Sequence, residues 1–300
     1  MKNKNSRLFV ALAIGMVSLA LVRKFRQDRT RLLAWQKQRH TALDVLACPR
    51  CHRPLLWVNL SAGEGYRCLT CQRDYPLVEG IPHFIEQSEL SEMNSRFARM
   101  YDWFSWGYRA FSKIAFAYIG MTEEQARREV TDRLEPKGGR VLEVSVGPGV
   151  NLPYLVNRSD VGEIFGVDIS LGQLYRCQGF AASKGYDVQL QLGNAEQLPY
   201  QDNTFAGVFH IGGINFFNDK QKAIAEMIRV AQPGTRILIC DENEKGAQAY
   251  ERFLPGFKRT TGGQREVIQA PVALVPPEMQ EVQVFEVWNG WMYCLEFKKP

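Results

Sequence analysis

The apolar positions of this chain change their period along its length, and each change predicts an element. From residue 140 onward, short apolar runs at 140–145, 163–168, 187–191, 205–211 and 235–240 read as buried strands. Between them, 151–158, 171–184 and 219–231 carry helical spacing. The alternation is the βαβ rhythm of a parallel sheet. The end of the chain differs. Val282-Gln-Val-Phe-Glu-Val-Trp288 and Trp291-Met-Tyr-Cys-Leu-Glu-Phe297 flank Asn289-Gly290, a two-residue signal for a type I′ hairpin. A parallel sheet that closes on an antiparallel hairpin is unusual for a nicotinamide-binding fold. With 45% hydrophobic and 23% charged residues, the 300-residue chain has enough apolar matter for one full core and no sign of bulk disorder.

The pattern at the start is different again. Leu8 to Val22 is 15 residues without a charge, bracketed by Arg7 and by Arg23-Lys24. As a helix it would reach about 22 Å, short of a hydrocarbon core of about 30 Å, and snorkelling flanks or local thinning would cover the deficit. Ser18-Leu-Ala20 has the form of a signal-peptidase site, so a removed signal peptide is the main rival. The five basic residues from Arg23 to Arg31 argue against export and place the remainder of the chain in the cytoplasm. The expectation is an uncleaved single-pass membrane anchor followed by a basic stalk, together residues 1–42. This also explains the net charge of +5: residues 1–40 hold ten Lys or Arg against Asp28, which is +9 and leaves −4 for the rest. The body therefore has no bulk positive charge for a phosphate backbone, which disfavours a nucleic-acid partner.

Cys48-Pro-Arg-Cys51 and Cys68-Leu-Thr-Cys71 are two C-x-x-C pairs separated by 16 residues. Two tight turns that each direct a pair of thiolates at one point suit a tetrahedral zinc site, closed and therefore structural. Disulfides are the competing reading, disfavoured by the expected compartment. His52 stands beside a ligand cysteine and could substitute for one, although four cysteines already complete the shell. Cys177, Cys240 and Cys294 read as separate core residues. The context of the pairs, through Tyr66-Arg-Cys68 to Tyr75-Pro-Leu-Val-Glu-Gly-Ile-Pro82, resembles the zinc-ribbon family of tRNA-methyltransferase activator subunits over residues 43–86. That resemblance implies a module that activates or stabilises a methyltransferase, and allows a protein partner.

The strand at 140–145 runs into a glycine turn, and Asp168 follows Gly149 by 19 residues. This is the layout of a nucleotide-type cofactor site, with a close backbone approach and an acid for two ribose hydroxyls. Four further segments make the pattern specific. Glu143-Val-Ser-Val-Gly-Pro-Gly149, Phe165-Gly-Val-Asp168-Ile-Ser170, Gly193-Asn-Ala-Glu-Gln-Leu-Pro-Tyr200, Asp202 to His210 and Arg229-Val-Ala-Gln-Pro-Gly234 resemble, in order, the motifs of class I S-adenosylmethionine-dependent methyltransferases. The likeness is to the ubiquinone/menaquinone-type and type 11 groups, over about residues 95–300. It implies an α/β fold with a Rossmann-like seven-stranded sheet ending in an antiparallel hairpin (140–300). A helical cover at 87–139 precedes the core, with the small N-terminal zinc ribbon and the membrane-anchor helix before that. It also implies S-adenosylmethionine as cofactor, held by Glu143, Ser145, Gly147, Gly149, Asn151, Asp168, Ile169, Asn194 and Ala195. Two residues depart from the family pattern. Ser145 stands for a glycine, with binding expected to be weakened or unchanged, and Asn194 stands for an aspartate whose carbonyl can still accept from the adenine amino group.

The chemistry of the cofactor limits what else is needed. The protein must align a nucleophile and exclude water, with a base only if the acceptor loses a proton. His210 at the end of the fourth strand is the first candidate base, a hydrogen-bonded pocket wall being its bland alternative, and Asp241 and Glu242 beyond the fifth strand come next. Ile211-Gly-Gly-Ile-Asn215 stands where adenine and glutamine amino-methylating enzymes carry Asn/Asp-Pro-Pro-Tyr. Six aromatics between Tyr101 and Phe111 suggest a cover over an apolar pocket. The expected function is methyl transfer to a small lipophilic acceptor (a quinone, phenol, lipid or thiol) at a membrane. A silent methyltransferase-like scaffold and an RNA or protein methyltransferase remain the alternatives.

Overall fold

The computed structural model describes residues 44–61, 63–86, 115–253 and 267–300. The anchor and stalk expected at 1–42 and the aromatic run from Tyr101 to Phe111 lie outside the described residues. Among the described residues, no helix is long and apolar enough to cross a membrane.

The ribbon is a four-stranded antiparallel sheet in chain order, β1 (Leu56–Leu60), β2 (Gly63–Cys68), β3 (Arg73–Val78) and β4 (Ile81–Pro82). The body follows as α1 (Glu123–Thr131), β5 (Val141–Val144), β6 (Ile164–Asp168), α2 (Leu171–Lys184), β7 (Gln189–Leu192) and β8 (Gly207–Ile211). It continues with α3 (Lys220–Val230), β9 (Arg236–Glu242), α4 (Glu244–Phe253), β10 (Gln280–Val287) and β11 (Met292–Lys298). Its seven strands lie in the order β10-β11-β9-β8-β5-β6-β7, and β11 runs against both neighbours while the others pair parallel. The expected sheet and hairpin are therefore present. Chain direction reverses beside β5, which has β6 on one side and β8 on the other, so the carboxyl ends of these strands form the crevice where ligands of such sheets bind.

Strand alternation sends side chains to two apolar layers. Leu142, Val144, Val208 and Ile239 face α3, with Ile224 and Met227 against them. Val141, Phe209 and Leu238 face the other way, against Leu174 and Ala181 of α2 and Val130 of α1. Thr122 begins α1 with a reciprocal capping box to Gln125, fixing the helix whose buried side carries Ala126, Arg127, Val130 and Thr131.

Three expectations need correction. The segment 151–158 is not an α-helix: only Leu152–Tyr154 forms a 3-10 turn, because Pro153 lacks an N–H and the Asn151 side chain bonds Glu143 instead of capping. The hairpin keeps its Asn289-Gly290 turn, with Trp291 N–H donating to Trp288 O at 3.2 Å. Trp288 is itself left-handed at φ 56°, so pairing stops one step earlier, at Val287–Met292. Cys240 and Cys294 are not separate core residues. Register sets them opposite each other on β9 and β11, with Cα atoms 4.1 Å apart, joined as a disulfide.

The ribbon is attached to the body by backbone as well as by apolar contact. His83 bridges Leu192 in parallel, and Phe84 N–H donates to Leu192 O at 2.8 Å, so the chain after β4 continues the sheet past β7. That covers an edge that would otherwise present unpaired groups. Leu46 bridges Tyr200, Ala47 N–H donates to Pro199 O, and Gln201 N–H donates to Val45 O, each bond at 2.9 Å. Val45, Leu46, Tyr66, Tyr75 and Phe84 enter the same apolar layer as Leu198 and Tyr200.

Candidate active site and metal centre

The turn after β5 passes through three left-handed residues, Ser145 (φ 60°), Gly147 (φ 53°) and Gly149 (φ 73°). Each is required for a different reason. A Cβ on Gly147 would meet nothing within 4 Å, so open space lies over its backbone where a ligand can approach. A Cβ on Gly149 would sit 2.7 Å from Cys177 Sγ and 2.9 Å from Leu152, so this glycine serves packing of the turn on α2. Ser145 adopts a conformation that costs a non-glycine residue about 1 kcal/mol or more, which explains why a glycine is usual there.

Asp168 ends β6 and ties the site together. Its Oδ2 accepts the Gly147 N–H and its Oδ1 the Ser170 N–H, both at 2.8 Å. Ile169 comes next, lining a cavity of about 340 Å³ together with Leu171, Leu192, Tyr75, His83 and Phe84, so the ribbon supplies one wall beside this end of the site. Asn194 Oδ1 accepts the Glu196 N–H at 3.0 Å, which shapes the turn after β7, and Ala195 is buried. Glu196 Oε1 in turn accepts from Asn218 and Asp219, linking that turn to the start of α3.

Beneath the first turn lies a polar cluster that is almost wholly buried. Glu143 Oε1 accepts from Asn151 Nδ2 at 2.5 Å, while Glu143 Oε2 and Asn151 Oδ1 have no partner among the described residues. Burial pushes the Glu143 carboxyl up to about 8. Arg127 of α1, also buried, completes the cluster with an unpartnered Nε. Motif reading did not find Arg127. The one sequence signal is an arginine three residues before Val130 and seven before Leu134, on the apolar face of the helix.

At the other end of the site, His210 is fully buried, with Nδ1 2.9 Å from Val144 O and its ring against Phe217. A carbonyl can only accept, so Nδ1 carries the proton and Nε2 the lone pair, without a partner among the described residues. Burial depresses its pKa below the ordinary histidine value. Asp241 has no such freedom. Its Oδ1 accepts from Gly213 and Glu242, and its Oδ2 from Asn215 at 2.7 Å, so it holds the loop after β8 in place. Burial and the neighbouring Asp241 raise the Glu242 pKa well above the carboxylate range. Tyr293, raised by burial, meets Asn215 Oδ1 at 3.4 Å across the same rim.

The structure brings Cys48, Cys51, Cys68 and Cys71 together, their sulfurs within 4.8 Å of one another. Cys48 lies 3.9 Å from Cys71 and Cys51 3.5 Å from Cys68, close to the spacing of thiolates around one tetrahedral zinc. The Tyr75 hydroxyl, 3.2 Å from Cys48 Sγ, supports the cluster from outside. His52 is not among the ligand atoms. It turns to the body, its Nε2 3.7 Å from Glu226 Oε1 on α3.

Strand order, glycine turn and acidic second strand together define the class of the fold and site, and comparison with known proteins gives the family. Residues 142–239 match the methyltransferase domain family. The chain is 30% identical over 160 residues to a phosphatidylethanolamine N-methyltransferase of Cereibacter sphaeroides, covering 52% of this chain and 77% of that protein. It is 32% identical over 157 residues to a demethylmenaquinone methyltransferase of Symbiobacterium thermophilum, covering 51% and 61% respectively. Three further relatives, N- and O-methyltransferases, are spanned for only about half of their length. Among solved structures, one from Methanococcus maripaludis, described as an S-adenosylmethionine-dependent methyltransferase, superposes with a TM-score of 0.50 at 16% identity, over 70% of this chain and 95% of that one. The chain belongs to the S-adenosylmethionine-dependent methyltransferases. The open space over Gly147 and the unpartnered buried atoms of Glu143, Asn151 and His210 fit that cofactor, since each lies at the carboxyl end of β5 or β8.

Proposed function

We propose that the protein transfers a methyl group to a small, uncharged, lipophilic acceptor (a quinone, phenol, lipid or hydrophobic thiol) at a membrane surface. Bound S-adenosylmethionine supplies an activated methyl group on a sulfonium. The chain's own residues hold that cofactor through the β5 turn, Asp168 and the Asn194-Ala195 turn. They position the acceptor and keep water away.

One observation carries the acceptor class. The ionisable groups His210, Glu242 and Tyr293, at the carboxyl ends of β8 and β9 and on adjoining β11, are all shifted toward their uncharged forms. Such a lining disfavours charged acceptors and accepts neutral ones. His210 Nε2 is the atom that would take a proton from a hydroxyl or thiol acceptor, with Val144 O holding the ring in the required tautomer. Relatives that act on phosphatidylethanolamine and demethylmenaquinone support the same class, and the uncharged run from Leu8 to Val22 supports the location. The four cysteines would hold a structural zinc ion, making the ribbon a brace for the body, as the resemblance to activator subunits suggests.

The test uses the full chain in vesicles with radiolabelled S-adenosylmethionine, offering membrane lipid extract, isoprenoid quinols and alkyl phenols beside polar acceptors, tRNA and protein. Label entering the organic-soluble acceptors supports the reading. Label confined to polar acceptors, RNA or protein would overturn it.

A further inference from the structure

A buried donor and two buried acceptors stand unpartnered around the first turn, and together they match one end of a ligand. Arg127 is 2% exposed, with its guanidinium under the rings of Phe116 and Trp288 at 5.2 and 5.0 Å. Its Nε has no hydrogen-bond partner among the described residues. Glu143 and Asn151 are each 1% exposed, and each keeps one oxygen without a partner. The three side chains come from adjacent elements. Asn151 directly precedes the turn Leu152–Tyr154, and α1 packs on that turn through Val130 against Leu152 and Leu155, and through Arg128 over the Tyr154 ring at 5.6 Å.

Leaving buried charged groups short of hydrogen bonds is costly, and native interiors rarely do so without a use. A donor-only guanidinium beside two unfilled carbonyl-type oxygens is complementary to a zwitterion: the cation takes a carboxylate and the oxygens take an ammonium. S-adenosylmethionine carries that pair at its amino-acid end. Glu123 reaches Arg127 only at 3.8 Å and through another nitrogen, so it leaves Nε available.

We propose that Arg127 receives the carboxylate of the cofactor's amino-acid end, while Glu143 and Asn151 receive its ammonium. The ring stack on Phe116 and Trp288 holds the guanidinium in place for this contact. The proposal rests on the cofactor reading of the β5 turn and adds to it a residue upstream of every recognised motif.

The experiment is calorimetric titration of the zinc-loaded full chain with S-adenosylmethionine and with decarboxylated S-adenosylmethionine, which lacks only the carboxylate. A charged hydrogen bond of this kind corresponds to roughly 10- to 100-fold in affinity. Wild-type protein is expected to prefer the complete cofactor by about that factor. Arg127→Met is expected to lose that preference while binding the decarboxylated compound as before, and Arg127→Lys to keep part of it. If Arg127→Met weakens both ligands equally, the arginine only clamps the hairpin and the proposal falls. Equal wild-type affinity for both ligands overturns it without any variant, and so decides the matter if the variants do not fold. Wild-type protein that binds neither would instead overturn the cofactor reading itself.

Discussion

The backbone N–H of Gly147 donates to Asp168 Oδ2 at 2.8 Å, so the first turn of the site is held by the acid of the second strand. The other oxygen holds Ser170 at the start of α2. One carboxylate thus shapes both sides of the crevice and is also placed to accept from ribose hydroxyls. Asp168→Ala should lose both functions. Two backbone donors left without a partner predict a loss of about 2 kcal/mol in stability, and cofactor affinity should fall at least tenfold. Denaturant unfolding and calorimetry measure the two separately. A variant as stable as wild type that binds as tightly would remove Asp168 from the site.

Ser145 predicts a change of the opposite sign. At φ 60° its side chain is strained, and replacing it by glycine relieves about 1 kcal/mol. Greater freedom of the unfolded chain takes back part of this gain. Ser145→Gly should therefore raise the urea midpoint slightly, with cofactor affinity unchanged or improved. A clear loss of affinity would mean that the hydroxyl itself is a ligand contact.

Local pattern made much of this fold legible in the sequence. Apolar runs mark the five parallel strands, and Asn289-Gly290 marks the turn that returns β11 beside β9. The glycine turn and Asp168 are legible because a close backbone approach leaves only small residues possible. What escapes a sequence reading depends on juxtaposition across the fold. Cys240 and Cys294 are 54 residues apart and meet only through the register of β9 and β11. The binding of Asp241 to the 213–215 loop is likewise tertiary, and from sequence it passes for a free carboxylate. Arg127 belongs to no motif, and only its burial among rings separates it from the neighbouring surface residue Arg128.

Glu143 makes the stability of the protein depend on pH. Its carboxyl is pushed from 4.5 to about 8 by burial, so between those values the folded state holds a proton that the unfolded chain releases. Its contribution is therefore greatest below pH 4.5 and is lost as pH rises toward 8, at up to about 1.4 kcal/mol per pH unit from this group. Glu143→Gln should flatten that part of the profile, read as urea midpoints from pH 5 to 8. A positively charged ligand group favours the ionised form, so cofactor binding below pH 8 should release a proton. Calorimetry in buffers of different ionisation enthalpy detects that release, and its absence would place the ammonium elsewhere.

The ribbon grips the segment that follows the third strand of the site. Ala47 and Val45 bond to Pro199 and Gln201, and Glu226, which faces His52, also accepts the Leu198 N–H at 2.7 Å. The turn at Asn194-Ala195 lies at the near end of that segment, so its position depends on a module whose own fold depends on the four-cysteine cluster. Four sulfurs gathered within 4.8 Å without an ion to bind would be a poor brace, since thiols in a two-knuckle ribbon supply little core of their own. Removing zinc with a chelator, or Cys71→Ser, is therefore expected to lower the melting temperature of the whole protein. Cofactor affinity should weaken by about tenfold, as for one or two hydrogen bonds lost. Glu226→Gln gives the local control: with zinc retained, it disturbs only the contact to Leu198 and Arg229 and should produce a smaller fraction of the same loss. If the chelated protein melts and binds as before, the ribbon is an appendage and the bonds to Pro199 and Gln201 do not hold the site.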